Sequence, residues 1–154
     1  MQIRPYDKSD AEAIVTLFHD TVHRVCAADY TPEQLRAWAP EIPDAAVWHE
    51  RMAQGHTLVV EEKGQLFAFA KLAENGCLHM FFCRHDVQRQ GIGSWLFSKI
   101  KTAALDAGMA RITTEASITA RPFFERQGFV LVKENRVTRA GVELTNYTME
   151  KALS

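Results

Sequence analysis

The chain has 154 residues, 47% of them hydrophobic, enough to bury a sizeable core within one domain spanning residues 1–154. Its 18 basic residues against 19 acidic ones leave a formal net charge of −1, which excludes the global electrostatic pull of a general nucleic-acid binder. Cys26, Cys77 and Cys83 are odd in number and form no Cys-x-x-Cys pair, arguing against a disulfide framework or zinc knuckle, and no run has the apolar length of a membrane span or a signal peptide. The expectation is a soluble, cytoplasmic protein with reduced thiols and no membrane partner.

Residues 2–6 read as a first strand. Ser9-Asp10-Ala11-Glu12 has the Ser-x-x-Glu pattern of a capping box, and Ile14, Leu17, Phe18, Thr21, Val22 and Val25 then recur at helical spacing to about Ala28. Thr31-Pro32-Glu33-Gln34 starts a short second helix, closed by Pro40 and Pro43, and a third helix runs from Ala45 to Gln54. From His56 the period changes to that of strands. Thr57–Glu61 and Leu66–Ala70 form a hairpin about Lys63-Gly64, and Asn75-Gly76 turns into Cys77–Cys83, so three antiparallel strands run consecutively.

A turn, Asp86-Val87-Gln88-Arg89-Gln90-Gly91-Ile92-Gly93-Ser94, then leads into a helix whose apolar face includes Ile92, Trp95, Leu96, Ile100 and Ala104 and which stops at Gly108. A strand from Arg111 to Ala116, a short helix at Pro122–Gln127 and two final strands, Phe129–Val137 and Val142–Glu150, complete a mixed α/β chain. Only one helix crosses between neighbouring strands.

Glycines at alternate positions let the backbone of the turn tighten, while the following helix adds uncapped N–H donors and the positive end of its dipole, a combination suited to a phosphate or pyrophosphate. A dinucleotide fold places such a turn after an early strand of alternating β and α units, and a P-loop needs Gly-Lys-Ser/Thr; neither is present. The arrangement resembles the GNAT superfamily of acyl-CoA-dependent N-acyltransferases. Gln88-Arg89-Gln90-Gly91-Ile92-Gly93 matches their Gln/Arg-x-x-Gly-x-Gly/Ala signature, and Ser117 to Phe129 follows their Asn-x-x-Ala-x-x-x-Tyr-x-x-x-Gly-Phe pattern in register. Two positions depart from it: Ser117 stands where many members have Asn, and Phe124 where many have a Tyr that protonates the departing thiolate. Phenylalanine cannot donate that proton.

The resemblance implies a mixed, mostly antiparallel sheet of about seven strands with helices on both faces and splayed fourth and fifth strands. It implies acetyl-CoA as co-substrate, no metal, and a small-molecule amine or peptide as acceptor, with a homodimer common among such proteins. The pantetheine would lie along backbone near Phe82 and Cys83. The pyrophosphate would sit on Gln88, Arg89, Gln90, Gly91, Ile92, Gly93 and Ser94, with Ser117, Ala120 and Phe124 along the same cofactor. An acyl-CoA-binding domain without catalysis is the alternative that Phe124 favours.

Transfer needs an uncharged amine, so a proton acceptor is useful. His79, on the expected fourth strand, is the first candidate, and an imidazole titrates near neutrality; the alternative is an idle strand histidine. Glu115, on the fifth strand, is the competing base through water, or else a solvated carboxylate. Tyr147 could replace the donor missing at Phe124, or simply pack. Tyr30 and Trp38, near the first two helices where the family recognises its acceptors, are candidates for the acceptor pocket or for core. His19 and His23 share a helical face but lack a third metal ligand. Cys83 near the thioester invites an acyl-enzyme, against the plainer reading of a buried strand thiol.

Overall fold

The computed structural model describes residues 1–88 and 90–153. Seven strands, β1 (Gln2–Pro5), β2 (His56–Glu62), β3 (Gln65–Leu72), β4 (Cys77–Cys83), β5 (Arg111–Ser117), β6 (Val130–Arg139) and β7 (Val142–Ala152), form one sheet in the order β1-β2-β3-β4-β5-β7-β6. Helices α1 (Ala11–Val25), α2 (Pro32–Trp38) and α3 (Ala45–Met52) precede β2, α4 (Ile92–Asp106) links β4 to β5, and α5 (Arg121–Arg126) follows β5. The α4 crossover makes β4 and β5 parallel, while the other neighbouring pairs are antiparallel.

The alternation of side chains along the strands supplies two core layers, one on each face. On one, Leu72, Leu78 and Ile112 pack with Leu96, Ile100 and Phe97 of α4 and with Phe124 of α5. On the other, Val59, Phe69 and Met80 meet Ile14, Phe18 and Val22 of α1 and Leu35 of α2. Phe69, Leu72, Leu96 and Ile100 are fully buried, each such side chain stabilising the fold by roughly 1.5–3 kcal/mol.

The first helix is capped differently from the expectation. Asp7, not Ser9, is the N-cap of a 3-10 turn, Lys8–Asp10, that runs directly into α1: its carboxylate accepts from the Ser9 N–H at 2.9 Å, and the Asp10 carboxylate accepts from the Asp7 N–H at 2.8 Å. A carboxylate two residues earlier wins because Arg4 clamps Asp10 through bonds of 2.8 and 2.9 Å, which leaves Ser9 inside a 3-10 turn. The second helix starts as its sequence implies, with Thr31 and Gln34 bonding reciprocally.

The feature that creates the site is the brevity of the β4–β5 pairing. Only Cys77↔Thr113 and Leu78↔Thr114 pair, the last rung pinned by the Thr114 hydroxyl donating to the Leu78 carbonyl at 2.9 Å. Beyond that rung β4 stays with β3 while β5 stays with β7, so the two strands splay apart.

Candidate active site

The splay opens a cleft of about 1440 Å³ whose walls are β4, β5, the end of α1, the turn before α4 and α5. His79 and Glu115 are the residues that follow the last paired rung on β4 and β5, so they flank the point where the strands part. Both line the cleft. At His79 the register of β4 on β3 slips: Leu78 lies opposite Leu72 and Met80 opposite Lys71, leaving His79 as the additional residue of a bulge. Bulges of this kind re-aim a side chain and interrupt the ladder, and here the re-aimed group is an imidazole. Its Nδ1 lies 3.5 Å from the Cys77 sulfur. His79 is exposed at its edge, and the partial desolvation it does have lowers its pKa below the usual histidine value, helped by the Lys71 and Arg51 charges, which favours the neutral ring that can accept a proton.

Glu115 is fixed by two neighbours. The Asn135 amide donates to its Oε2 at 2.8 Å, and the Thr148 hydroxyl lies 2.8 and 3.0 Å from its two oxygens. The carboxylate is thus oriented but still exposed.

At the other end of the cleft, α4 begins at Gly91, which adopts φ +79 and offers no side-chain cap. The Trp95 N–H closes the first helical bond to the Gly91 carbonyl at 3.0 Å, so the N–H groups of Ile92, Gly93 and Ser94 precede any intrahelical acceptor. Gly93 is needed for space: a Cβ there would lie 3.1 Å from the Phe123 ring and 3.6 Å from the Cys83 sulfur. The geometry is a cleft with two proton acceptors where it opens and an uncapped fifteen-residue helix where it ends.

Residues 26–151 match the family model for the acetyltransferase (GNAT) domain. The protein belongs to the GNAT family of acetyltransferases. It is 32% identical over 149 residues to the uncharacterized N-acetyltransferase YafP of Escherichia coli (strain K12), covering 97% of this chain and 94% of that one. The GCN5-related N-acetyltransferase structure from Rhodopseudomonas palustris superposes with a TM-score of 0.92 at 30% identity, covering 99% of this chain and 95% of that chain. The fold is shared more distantly with yncA from Salmonella typhimurium, solved with acetyl-CoA, at a TM-score of 0.76 and 19% identity over 100% of this chain and 94% of that one.

Within this GNAT enzyme the other residues singled out from sequence occupy varied positions. Gln88, Gly91, Gly93, Ser94, Ser117, Ala120 and Phe124 line the cleft, as do Phe82 and Cys83. Gln88 braces the turn by donating to the Cys83 carbonyl at 2.7 Å, Gln90 donates to the Asp86 carbonyl at 3.3 Å, and Ile92 is buried in the core. Arg89 lies outside the described residues. Ser117 accepts from the Ala120 N–H at 3.0 Å, shaping the entry to α5 and leaving its own hydroxyl hydrogen free of that bond.

Phe124 is buried among Phe81, Phe123 and Phe129. The Tyr147 ring packs against the core with the Arg121 guanidinium 4.5 Å above it, and it is not among the described residues lining the cleft. Burial pushes the Cys83 thiol up to about 12, which leaves little thiolate for an acyl-enzyme. His19 and His23 lie with ring centroids 4.4 Å apart and the rings tilted, with His23 Nε2 2.6 Å from the Ala39 carbonyl oxygen, and no group of three metal-ligating side chains occurs among the described residues.

Tyr30 and Trp38 meet edge to face at 5.5 Å and line a smaller pocket beside the cleft, which also contains Glu115 and Ser117. The Tyr30 hydroxyl is consumed, donating to the Thr145 carbonyl at 2.7 Å and accepting from the Ile118 N–H at 2.9 Å, so Tyr30 contributes a wall and not a free polar group. Sequence reasoning missed the supports of Glu115, Asn135 and Thr148, and missed Arg24, His85 and Arg126 along the cleft. The polar positions of β6 and β7 were visible, but the register that aims Asn135 and Thr148 at β5 was not.

Proposed function

We propose that this N-acetyltransferase moves the acetyl group of acetyl-CoA to the amine of a small acceptor by direct attack in a ternary complex. The observation that carries the reading is the opening of β4 from β5 at His79 and Glu115, with the uncapped start of α4 at the far end of the same cleft. The pyrophosphate would accept N–H bonds from the turn between Gln88 and Ser94, with the cations Arg24 and Arg126 nearby and the helix dipole adding to them. Pantetheine would run along the edge of β4 near Phe82 and Cys83 that β5 no longer covers, completing the ladder as an added strand does.

The acceptor nitrogen attacks the thioester carbonyl carbon, forming the C–N bond. Its displaced proton passes to His79 directly, or by way of a water held by Glu115, and general-base help of this kind contributes typically about 10²–10⁴-fold. A backbone N–H of the open β4 edge stabilises the oxyanion. The tetrahedral intermediate collapses with cleavage of the C–S bond, and the thiolate takes its proton from water, since Phe124 offers none.

Calorimetric titration with acetyl-CoA, followed by thiol release across an amine panel, tests this. Saturable binding with thiol release that depends on an amine is the expected result. Binding without turnover on any amine, or no binding, contradicts it.

A further inference from the structure

The small pocket beside the cleft holds opposite charges within about 60 Å³. That is room for only a few heavy-atom groups, taking about 10–15 Å³ for each water-sized occupant. Glu115 and Ser117 line both the pocket and the cleft and so form the boundary the two share. The pocket's aromatic wall is Tyr30 and Trp38, and it also holds Asn146 and Arg139.

Arg139 is the last residue of β6, opposite Val142 at the hairpin. It shares a face of that strand with Val137 and with Asn135, whose amide touches Glu115. The four steps from Asn135 to Arg139 span about 13 Å of strand, and the side chains of Arg139 and Glu115 both line the pocket. Neighbouring Arg136 lies within 4.0 Å of the carboxylates of Glu134 and Glu143, whereas Arg139 is in no ion pair among the described residues. A guanidinium with no acidic partner among the described residues, beside a carboxylate that Asn135 and Thr148 orient but leave with acceptor sites to spare, suits a ligand that brings its own two charges.

We propose that this pocket selects an acceptor that carries a carboxylate as well as an amine, an amino acid in the broad sense, with Arg139 holding the carboxylate and Glu115 receiving the ammonium at the mouth of the cleft. The inference rests on the acetyl transfer proposed above. Arginine's planar fork fits a carboxylate bidentately. Overall, the ammonium form of the amino acid and acetyl-CoA give the N-acetyl amino acid, CoA thiol and one proton: the C–N bond forms, the C–S bond breaks, and of the ammonium's protons one stays on the amide, one goes to the thiol and one is released.

The test compares L-alanine with ethylamine and γ-aminobutyrate with propylamine, pairs that differ only by a carboxylate, for the wild type, Arg139→Gln and Arg139→Lys. Thiol release gives kcat/KM, and calorimetry without acetyl-CoA gives direct binding of the two amino acids. At least one amino acid should be preferred over its amine by about 10-fold or more, with the preference falling to near unity in Arg139→Gln and partly kept in Arg139→Lys. Equal use of acid and amine by the wild type, or a preference undiminished in Arg139→Gln, overturns the carboxylate pocket and leaves acetyl transfer standing. If acetyl-CoA neither binds nor turns over with any amine, the transfer reading fails, and the calorimetric arm decides the pocket alone: binding of either amino acid that is lost in Arg139→Gln supports it, and no binding to the wild type overturns it.

Discussion

Replacing Gly91 with alanine isolates what the turn before α4 requires. Gly91 adopts φ +79, and a Cβ built there meets nothing within 4 Å, so the penalty is conformational and not steric. An L-residue in the left-handed region costs roughly 1–2 kcal/mol, and asparagine tolerates it better. If the turn keeps its shape, Gly91→Ala lowers stability by that amount, a fall in Tm of about 2–8 °C for a chain of this size. If the backbone relaxes, the N–H groups of Ile92 to Ser94 lose their aim and the same strain appears as an acetyl-CoA affinity weakened by about 5–30-fold. Denaturant unfolding and calorimetric titration of the wild type, Gly91→Ala and Gly91→Asn measure both outlets, with the asparagine variant expected between the other two. Gly93→Ala should act differently, by displacing the Phe123 ring that lies 3.1 Å from the added carbon. An alanine at 91 that changes neither stability nor affinity, or an asparagine as harmful as alanine, refutes the left-handed requirement.

Other consequences concern protons, thiols and capping. Because burial, Lys71 and Arg51 lower the His79 pKa, kcat/KM should rise with pH through a value below that of free histidine and then level off; Lys71→Met should move this limb to higher pH and His79→Gln should flatten it. The sign for stability follows from the same shift: the unfolded chain binds the proton more readily, so the contribution of His79 is present above the unfolded pKa and is lost as pH falls through the folded one, observable as a lower midpoint in acid that His79→Gln reduces. With its thiol near 12, Cys83 should resist alkylation in the folded protein at mildly alkaline pH, and mass spectrometry after mixing with acetyl-CoA should find no acyl group on it; a stable acetyl-Cys83 would restore the covalent route. Asp7→Ala should cost about 1 kcal/mol in denaturant unfolding and more than Ser9→Ala, since Asp7 supplies the cap.

The parts of the molecule legible in sequence are those governed by local rules. Asn75-Gly76 fixed the turn into β4, the apolar spacing from Ile92 to Ala104 gave α4, and the Gly91–Gly93 pair announced an uncapped helix start. The two motifs together led to the family and with it to the splayed sheet. Helix capping was legible in kind but not in place, because Arg4 of β1 clamps Asp10 and holds it where it accepts from the Asp7 N–H, which favours Asp7 over Ser9 as the cap. What stayed hidden depends on register across strands that are far apart in sequence. No local pattern reveals that Asn135 and Thr148 reach the same carboxylate, that the Tyr30 hydroxyl is spent on Thr145 and Ile118, or that Tyr147 lies under Arg121 away from the cleft. His79 was visible as a strand histidine, but the bulge that sets it apart from its neighbours appears only in the pairing of β3 with β4.

The claim that the reaction centre is the point where β4 leaves β5 is tested most directly by the double variant His79→Gln, Glu115→Gln. Steady-state acetyl transfer is measured with the amine the wild type uses best, alongside the acetyl-CoA Kd by calorimetry. The expected result is a loss of about 10²-fold or more in kcat with the Kd for acetyl-CoA kept within about two-fold, because the removed groups handle the amine's proton and not the pyrophosphate. Full turnover in the double variant would contradict it.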